Sequence, residues 1–169
     1  MASQSGSPTG AAALDRQAHG FDFILGTWRI QNRRLSQRLQ PSQHWEEFET
    51  VSTARPLWDG VGNVDEIVGE SPSGPVRGLT VRLFDPAAQL WRLYWATRRG
   101  GLLEPPMVGR FEKERGLFYN QELFEGQPVF VRFVYSHATE DSCRWEQAFS
   151  ADGGSTWEPN WQMEFRRAR

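Results

Sequence analysis

The feature that most constrains the fold is an alternation of apolar and polar residues along most of the chain. From residue 26 onward its period is near two, and turn-forming residues recur about every 8–12 residues. The pattern predicts about ten short strands, at 26–35, 43–55, 61–69, 77–85, 90–98, 106–113, 116–124, 128–136, 143–150 and 158–166. Because the connections are short and show no helical pattern, βαβ topology is excluded.

We expect the predicted sheet to close into a barrel because an open sheet would leave two edge strands exposed. Exposed edge strands invite aggregation, and a closed barrel removes them. Residues 125–127 and 152–154 are rich in turn formers and suit tight hairpins between sequential strands. We therefore predict an all-β fold, a closed antiparallel up-and-down barrel of about ten strands with a short N-terminal helix.

The N-terminal residues differ in composition from the rest of the chain. Residues 1–13 are mostly Ser, Gly, Ala and Pro, and we expect a disordered leader without the features of a signal peptide. Residues 14–169 are expected to form a single barrel domain. It starts with a short helical turn within Leu14–Phe23, which Gly20 ends.

Charge and composition exclude several classes of partner. The net charge is −2, with 19 basic and 21 acidic residues interleaved, so no nucleic-acid-binding surface is expected. No apolar run approaches the ~18 residues of a membrane helix, and we expect no membrane contact. Cys143, a single cysteine, favours a cytoplasmic setting. The three histidines share no zinc-binding spacing, and we expect neither a metal nor a cofactor.

The interior of the barrel is predicted to be aromatic, because 13 % of the residues are Phe, Trp or Tyr. Assigning the denser apolar face inward gives the interior residues Leu79, Val81, Leu83, Trp91, Leu93, Trp95, Val131, Phe133, Tyr135, Trp145, Gln147, Phe149, Trp161, Met163 and Phe165. The opposite face then carries a charge ladder of Arg82, Arg92, Arg110, Arg132 and Arg144 with Glu122, Glu146 and Glu164. In the alternative, a one-residue shift turns Arg82 and Arg132 inward to clamp a carboxylate or phosphate.

A small-molecule site inside the barrel follows from this interior, since such sites are mostly apolar with a few convergent polar groups. The candidate ligand-binding residues are Trp91, Trp95, Tyr135, Gln147, Trp161, Arg82 and Arg132. If the protein is an enzyme, Asp65 is the candidate general base and Tyr119 its catalytic partner. The alternative is that large side chains fill the barrel completely.

Two short motifs have structural roles. Gly26-Thr27-Trp28 resembles the Gly-X-Trp motif of lipocalins and other calycins, in which the tryptophan plugs one end of the barrel and a late arginine packs against it. Arg166 or Arg167 is at the matching place. Residues 150–157 match the Asp-box of sialidase-like propellers; because the box occurs once, we interpret it as a hairpin turn and not as an active site.

Seven segments together resemble a widespread bacterial family of uncharacterised lipocalin-like proteins. They lie at 21–28, 59–63, 82–86, 91–95, 108–111, 116–119 and 145–161. The resemblance covers about residues 20–167. It implies a calycin-like barrel in a bacterial cytoplasm, and it transfers no catalytic residue.

Three functions are compatible with this chain. The first is a barrel that binds an apolar or aromatic metabolite. The second is a cofactor-independent isomerase, cyclase or lyase acting on a hydrophobic metabolite in the same cavity, an analogy that rests on the fold alone. The third is an interaction module in which outer aromatic side chains form a homodimer. A solid interior would contradict the first two.

Overall fold

The computed structural model describes residues 8–41 and 43–169, which form a barrel preceded by helical turns. Helix α1 spans Pro8–Ala18, and single 3-10 turns lie at Asp22–Ile24 and Trp58–Gly60. The strands are β1 Gly26–Leu35, β2 Trp45–Leu57, β3 Gly62–Ser71, β4 Gly74–Asp85, β5 Leu90–Thr97, β6 Met107–Glu112, β7 Arg115–Phe124, β8 Gln127–Ser136, β9 Ser142–Ser150 and β10 Glu158–Arg167. Neither α1 nor the short turns in this part of the chain are long and apolar enough to cross a membrane.

The predicted architecture is confirmed. Each strand pairs antiparallel with the next in sequence, and β1 also pairs with β10, which closes the barrel. The strand boundaries lie close to those predicted; β4 differs most, since it begins at Gly74 and not at residue 77. The alternation therefore predicted the order and the placement of the strands.

The N-terminal helix is longer than predicted and is docked on the barrel. Helix α1 begins at Pro8, ahead of the expected start at Leu14, while residues 1–7 of the predicted leader lie outside the described residues. The Gln17 side chain donates to the Phe111 carbonyl at 2.6 Å, and its backbone carbonyl accepts from the Trp91 indole N–H at 2.7 Å. These bonds fix the helix to the end of the barrel where β5 begins and β6 ends.

Trp28 and Arg167 close this same end of the barrel. Trp28 is fully buried and its indole N–H donates to the Ile24 carbonyl at 2.7 Å. The Arg167 guanidinium lies 4.0 Å above the Trp28 ring, whereas Arg166 is exposed. Arg167 also donates to three backbone carbonyls, those of Phe23, Leu25 and Glu140. Arg167 thus occupies the place predicted for the late arginine.

Gly26 enters β1 with φ of 100°, and an added Cβ there would press on the Arg167 guanidinium.

The three longest connections, 36–44, 98–106 and 151–157, lie at the opposite end. The last of them holds the predicted Asp-box turn. Asp152 accepts hydrogen bonds from the Thr156 hydroxyl and amide at 2.6 and 2.9 Å, and from the Ser150 hydroxyl at 2.8 Å. These bonds, those of Thr156 first, lower the pKa of Asp152 to about 2. The predicted hairpin turn is confirmed, and it belongs to the open end of the barrel.

Candidate functional site

A cavity of about 590 Å³ occupies the barrel interior and opens at the end opposite α1. The apolar residues that line it are Ile30, Ile67, Leu93, Trp95, Pro105, Met107, Leu123, Val131, Phe133, Trp145, Phe149, Trp161, Met163 and Phe165. Polar side chains enter the wall at Ser52, Asp65, Thr80, Arg82, Tyr135 and Gln147. The barrel is therefore hollow, and the alternative of a solid interior is wrong.

The predicted interior faces are correct for β8, β9 and β10, but the face predicted for β4 is wrong. Thr80 and Arg82 line the cavity, whereas Leu79 lies outside with 36 % of its surface exposed. A one-residue shift in the assumed alternation exchanges the two faces of a strand. Gly78 shares the inner face, and the indole of Trp95 lies where a Cβ on Gly78 would be. Around Gly78 the inner face of β4 is thus small, which leaves room for the Trp95 ring from β5.

Arg82 forms a buried ion pair with Asp65 at the floor of the cavity. Its Nη1 lies 2.7 Å from Asp65 Oδ2 and donates to Asn63 Oδ1 at 2.9 Å. Its Nη2 donates to the Tyr135 hydroxyl at 3.3 Å. All four side chains are buried. Since a buried charge is costly unless it is paired, Asp65 is the reason that Arg82 can face inward.

The register of the sheet brings these groups together. On the β3–β4 ladder Asn63 is opposite Arg82, and Asp65 is opposite Thr80, so the two β3 side chains flank the guanidinium on the same face. Beneath them the Phe21 ring lies 5.3 Å from the guanidinium carbon of Arg82 and 5.1 Å from the Tyr135 ring. The ion pair therefore rests directly on the residues that close the barrel.

Burial and charge act in opposite directions on this cluster. Burial lowers the pKa of Arg82, but Asp65 and Tyr135 raise it by more, so its pKa lies above the ordinary value and the guanidinium stays charged. Burial raises the pKa of Tyr135 against the opposing charge of Arg82, so the phenol is neutral at pH 7. A neutral phenol keeps one proton to donate.

The mouth of the cavity carries charged side chains of both signs. Arg38 lines it from the connection 36–44, and Glu104 and Glu122 line it from the other side. Burial lowers the pKa of Arg38, and the charge of Arg34 adds to this effect. Burial raises the pKa of Glu122, as does the like charge of Glu104. Sequence reasoning missed Arg38 because it lies in a connection without periodicity or motif.

The structure brings together most of the predicted ligand-binding residues, namely Trp95, Tyr135, Gln147, Trp161 and Arg82, around the cavity. Trp91 is buried at the closed end, where its ring meets Phe21 at 5.0 Å. Arg132 is on the outer face, with its guanidinium 4.5 Å from the Trp157 ring. Trp91 and Arg132 therefore do not line the cavity.

The predicted catalytic pair is not brought together. Asp65 faces the cavity, but Tyr119 lies on the outer face with 47 % of its surface exposed. In β7 the inner face belongs to residues such as Phe118, so its neighbour Tyr119 must point away. The tyrosine that meets the Asp65–Arg82 pair is Tyr135.

Metal ligands and nucleophiles are sparse in the site. In residues 8–41 and 43–169, no three His, Cys, Asp or Glu side chains are grouped so that they could hold a metal ion. Cys143 is buried on β9, and burial raises the pKa of its thiol to about 12. At neutral pH this thiol is protonated, and a protonated thiol is a poor nucleophile.

Solved structures share the barrel at low sequence identity. The S-type phycobiliprotein lyase CPES from Guillardia theta superposes with a TM-score of 0.57 at 11 % identity, over 89 % of this chain and 91 % of that one. A de novo designed fluorescence-activating beta barrel gives a TM-score of 0.48 at 14 % identity, over 89 % and 98 % of the two chains. No family model and no curated protein matches the chain. At such identities the likeness shows the fold alone, and the resemblance to a bacterial family stays a prediction.

Proposed function

We propose that this barrel binds an apolar or aromatic small molecule in its interior. The observation that carries the proposal is the hollow, aromatic-walled cavity of about 590 Å³, which opens at one end and has a buried ion pair at its floor. This combination of apolar walls with a few fixed polar groups is the usual make-up of a small-molecule site. The ring walls of Trp95, Trp145 and Trp161 suit a flat, conjugated ligand.

A neutral fluorescent probe tests the proposal. N-Phenyl-1-naphthylamine brightens in apolar surroundings, and we expect saturable binding with one probe per chain. Ile67 lines the cavity and Val68, its neighbour on β3, is exposed on the outer face. Ile67→Trp should fill the cavity and weaken binding at least tenfold, whereas Val68→Trp adds the same side chain outside and should leave binding unchanged.

The two variants also define what would contradict the proposal. If Ile67→Trp folds and binds the probe as tightly as the wild type, the probe occupies another surface and the proposed site is wrong. In a separate experiment, native mass spectrometry of protein purified from its own host identifies the natural ligand as added mass. Circular dichroism of both variants confirms that the barrel is intact.

The alternative function, a cofactor-independent enzyme, is supported by one observation. The carboxylate of Asp65 and the neutral phenol of Tyr135 flank the same guanidinium at the floor of the cavity. A carboxylate and a phenol are groups that move protons in isomerases and lyases. If the ligand is turned over, Asp65→Asn and Tyr135→Phe should abolish turnover of the bound compound. Turnover that survives both changes would contradict the enzyme hypothesis at this site.

The homodimer predicted for the outer aromatic residues stays a prediction. Tyr119 packs against Trp157 on the outer face, with the two rings 6.2 Å apart. Light scattering of the wild type and of Tyr119→Arg would show whether copies of the chain associate through this surface.

A further inference from the structure

We propose that the floor of the cavity selects a neutral head group bearing an O–H or N–H, and that it discriminates against a carboxylate. This inference deepens the proposed function and rests on it, since it names the chemical class that the same cavity takes. The observations that support it are the unused hydrogen-bonding positions of Asp65 and Tyr135.

The first position is an acceptor. Asp65 uses Oδ2 for its ion pair with Arg82. In the described part of the chain no side-chain or backbone donor bonds to its other oxygen, and Asp65 lines the cavity. Because a carboxylate oxygen that faces an apolar cavity lacks the many partners it has in bulk water, it favours a ligand that donates a proton to it.

The second position is a donor. The Tyr135 hydroxyl accepts a hydrogen bond from Arg82, and its own proton has no acceptor among residues 8–41 and 43–169. Burial keeps the phenol neutral by raising its pKa, so this proton is present at pH 7. Tyr135 also lines the cavity, and its hydroxyl can donate to a ligand oxygen.

Together, the two positions present one donor and one acceptor that share Arg82 as their neighbour. A phenol, an alcohol or a cyclic amide both donates and accepts, and can satisfy Asp65 and Tyr135 at once. An ether only accepts. A carboxylate also only accepts, and it would face the negative oxygen of Asp65.

The charge of Arg82 does not reverse this preference. Its charge is paired with Asp65 at 2.7 Å, so the floor carries no net charge. Two of its five N–H groups have no partner in the described residues, Nε–H and the second hydrogen of Nη2; the Nε atom is fully buried, and Nη2 lies beside the Tyr135 hydroxyl. A ligand at the floor therefore meets the guanidinium only beside the carboxylate that neutralises its charge, and not as a free cation.

Three matched probes test the inference: trans-4-hydroxystilbene, trans-4-methoxystilbene and trans-stilbene-4-carboxylate. They share one apolar body and differ in the head group, and quenching of the tryptophans in the cavity wall reports their binding. We expect the hydroxyl probe to bind the wild type about tenfold more tightly than the methoxy probe, the value of one net hydrogen bond. The carboxylate should bind at least tenfold more weakly than the hydroxyl probe.

Two substitutions locate the preference. Asp65→Asn should reduce the hydroxyl-over-methoxy ratio to about threefold or less, because it removes the acceptor that only the hydroxyl probe uses. Tyr135→Phe removes a donor from which both probes accept, so both affinities should fall by about threefold or more while their ratio is kept. Asp65→Asn also leaves Arg82 without its counter-charge, so the carboxylate probe should gain about tenfold in affinity. Tyr119→Phe removes a hydroxyl from the outer face and should leave every ratio unchanged. If Asp65→Asn does not fold, the loss of affinity of the hydroxyl and methoxy probes in Tyr135→Phe decides whether the head group lies at the floor.

The outcomes separate this inference from the proposed function. If the methoxy probe and N-phenyl-1-naphthylamine bind but the hydroxyl adds nothing, or if the carboxylate binds the wild type most tightly, the selection of a neutral protic group is wrong and the apolar site stands. If none of the probes binds the wild type, the proposed function fails and the inference fails with it. A hydroxyl preference that is preserved in Asp65→Asn, or probe affinities that Tyr135→Phe leaves unchanged, places the head group elsewhere and overturns the inference.

Discussion

The closed end of the barrel and its open end are built from different kinds of contact. At the closed end the Phe21 ring packs edge-on against Trp91, Phe111 and Tyr135 at centroid distances of 4.8–5.1 Å. At the open end the side chains are charged or exposed, as with Glu104, and the connections are longer. One end is thus held by ring packing and the other is left accessible to solvent.

Stability and access to the cavity are thus provided by opposite ends of the barrel. Close ring packing at one end fixes the strands in register and supports the buried Arg82–Asp65 pair above it. The open end contributes less to folding, since exposed side chains and long connections bury less apolar surface. The free energy of unfolding should therefore fall steeply for changes at the closed end and little for changes at the mouth.

The largest effect is expected from Phe21→Ala. Phe21 is 1 % exposed, and its removal leaves a void among the rings that close the barrel. We expect the free energy of unfolding in urea to fall by about 4 kcal/mol. The control is Leu123→Ala at the mouth, where the side chain is 74 % exposed and the loss should stay within about 0.5 kcal/mol. Equal losses of unfolding free energy at the two sites would contradict the stabilising role of the closed end.

A slightly smaller effect is expected from Arg82→Met, which leaves Asp65 buried without its counter-charge. The expected loss is about 3 kcal/mol, and the double variant Arg82→Met with Asp65→Asn should be more stable than Arg82→Met alone. The control is Arg92→Met, because Arg92 pairs with Asp85 at the same 2.7 Å but half-exposed on the outer face. That pair should contribute at most about 1 kcal/mol, and a loss as large as that for Arg82 would contradict the role of burial.

The sequence was sufficient to predict the barrel fold but not the arrangement of side chains at the floor of the cavity. Strand periodicity and turn residues are local properties, so β1 to β10 could be predicted from neighbouring residues. The direction of Arg82 could not, because it depends on Asp65 in one adjacent strand and on Tyr135 in a strand distant in sequence. The face of β4 that carries more apolar residues includes Leu79, so it was predicted to point inward. A buried ion pair adds no apolar residue, so it could not be detected in this way. Arg38 lies in a connection, where no periodicity indicates direction.

A smaller effect at the closed end is expected from Arg167→Ala. This change removes the guanidinium above Trp28 and its hydrogen bonds to three carbonyls. We expect a loss of about 2 kcal/mol in the free energy of unfolding. Arg166→Ala, the exposed neighbour, should cost less than about 0.5 kcal/mol. If Arg166→Ala is the more damaging change, the assignment of the late arginine is wrong.

The smallest effect should be found at the open end, in the Asp152 turn, and it should depend on pH. The hydrogen bonds from Thr156 and Ser150 hold the pKa of Asp152 at about 2, below its ordinary value of 3.8. A carboxylate with a lowered pKa stabilises the fold above its unfolded pKa and loses that contribution as pH falls through its folded pKa. The Tm of Asp152→Ala should therefore lie slightly below that of the wild type at pH 7, and the difference should shrink between about pH 4 and about pH 2.

The control is Asp152→Asn, in which an amide oxygen still accepts hydrogen bonds from the turn, so the Tm at pH 7 should fall less. A Tm difference that stays constant down to about pH 2 would show that the turn is held by its two glycines and not by the carboxylate.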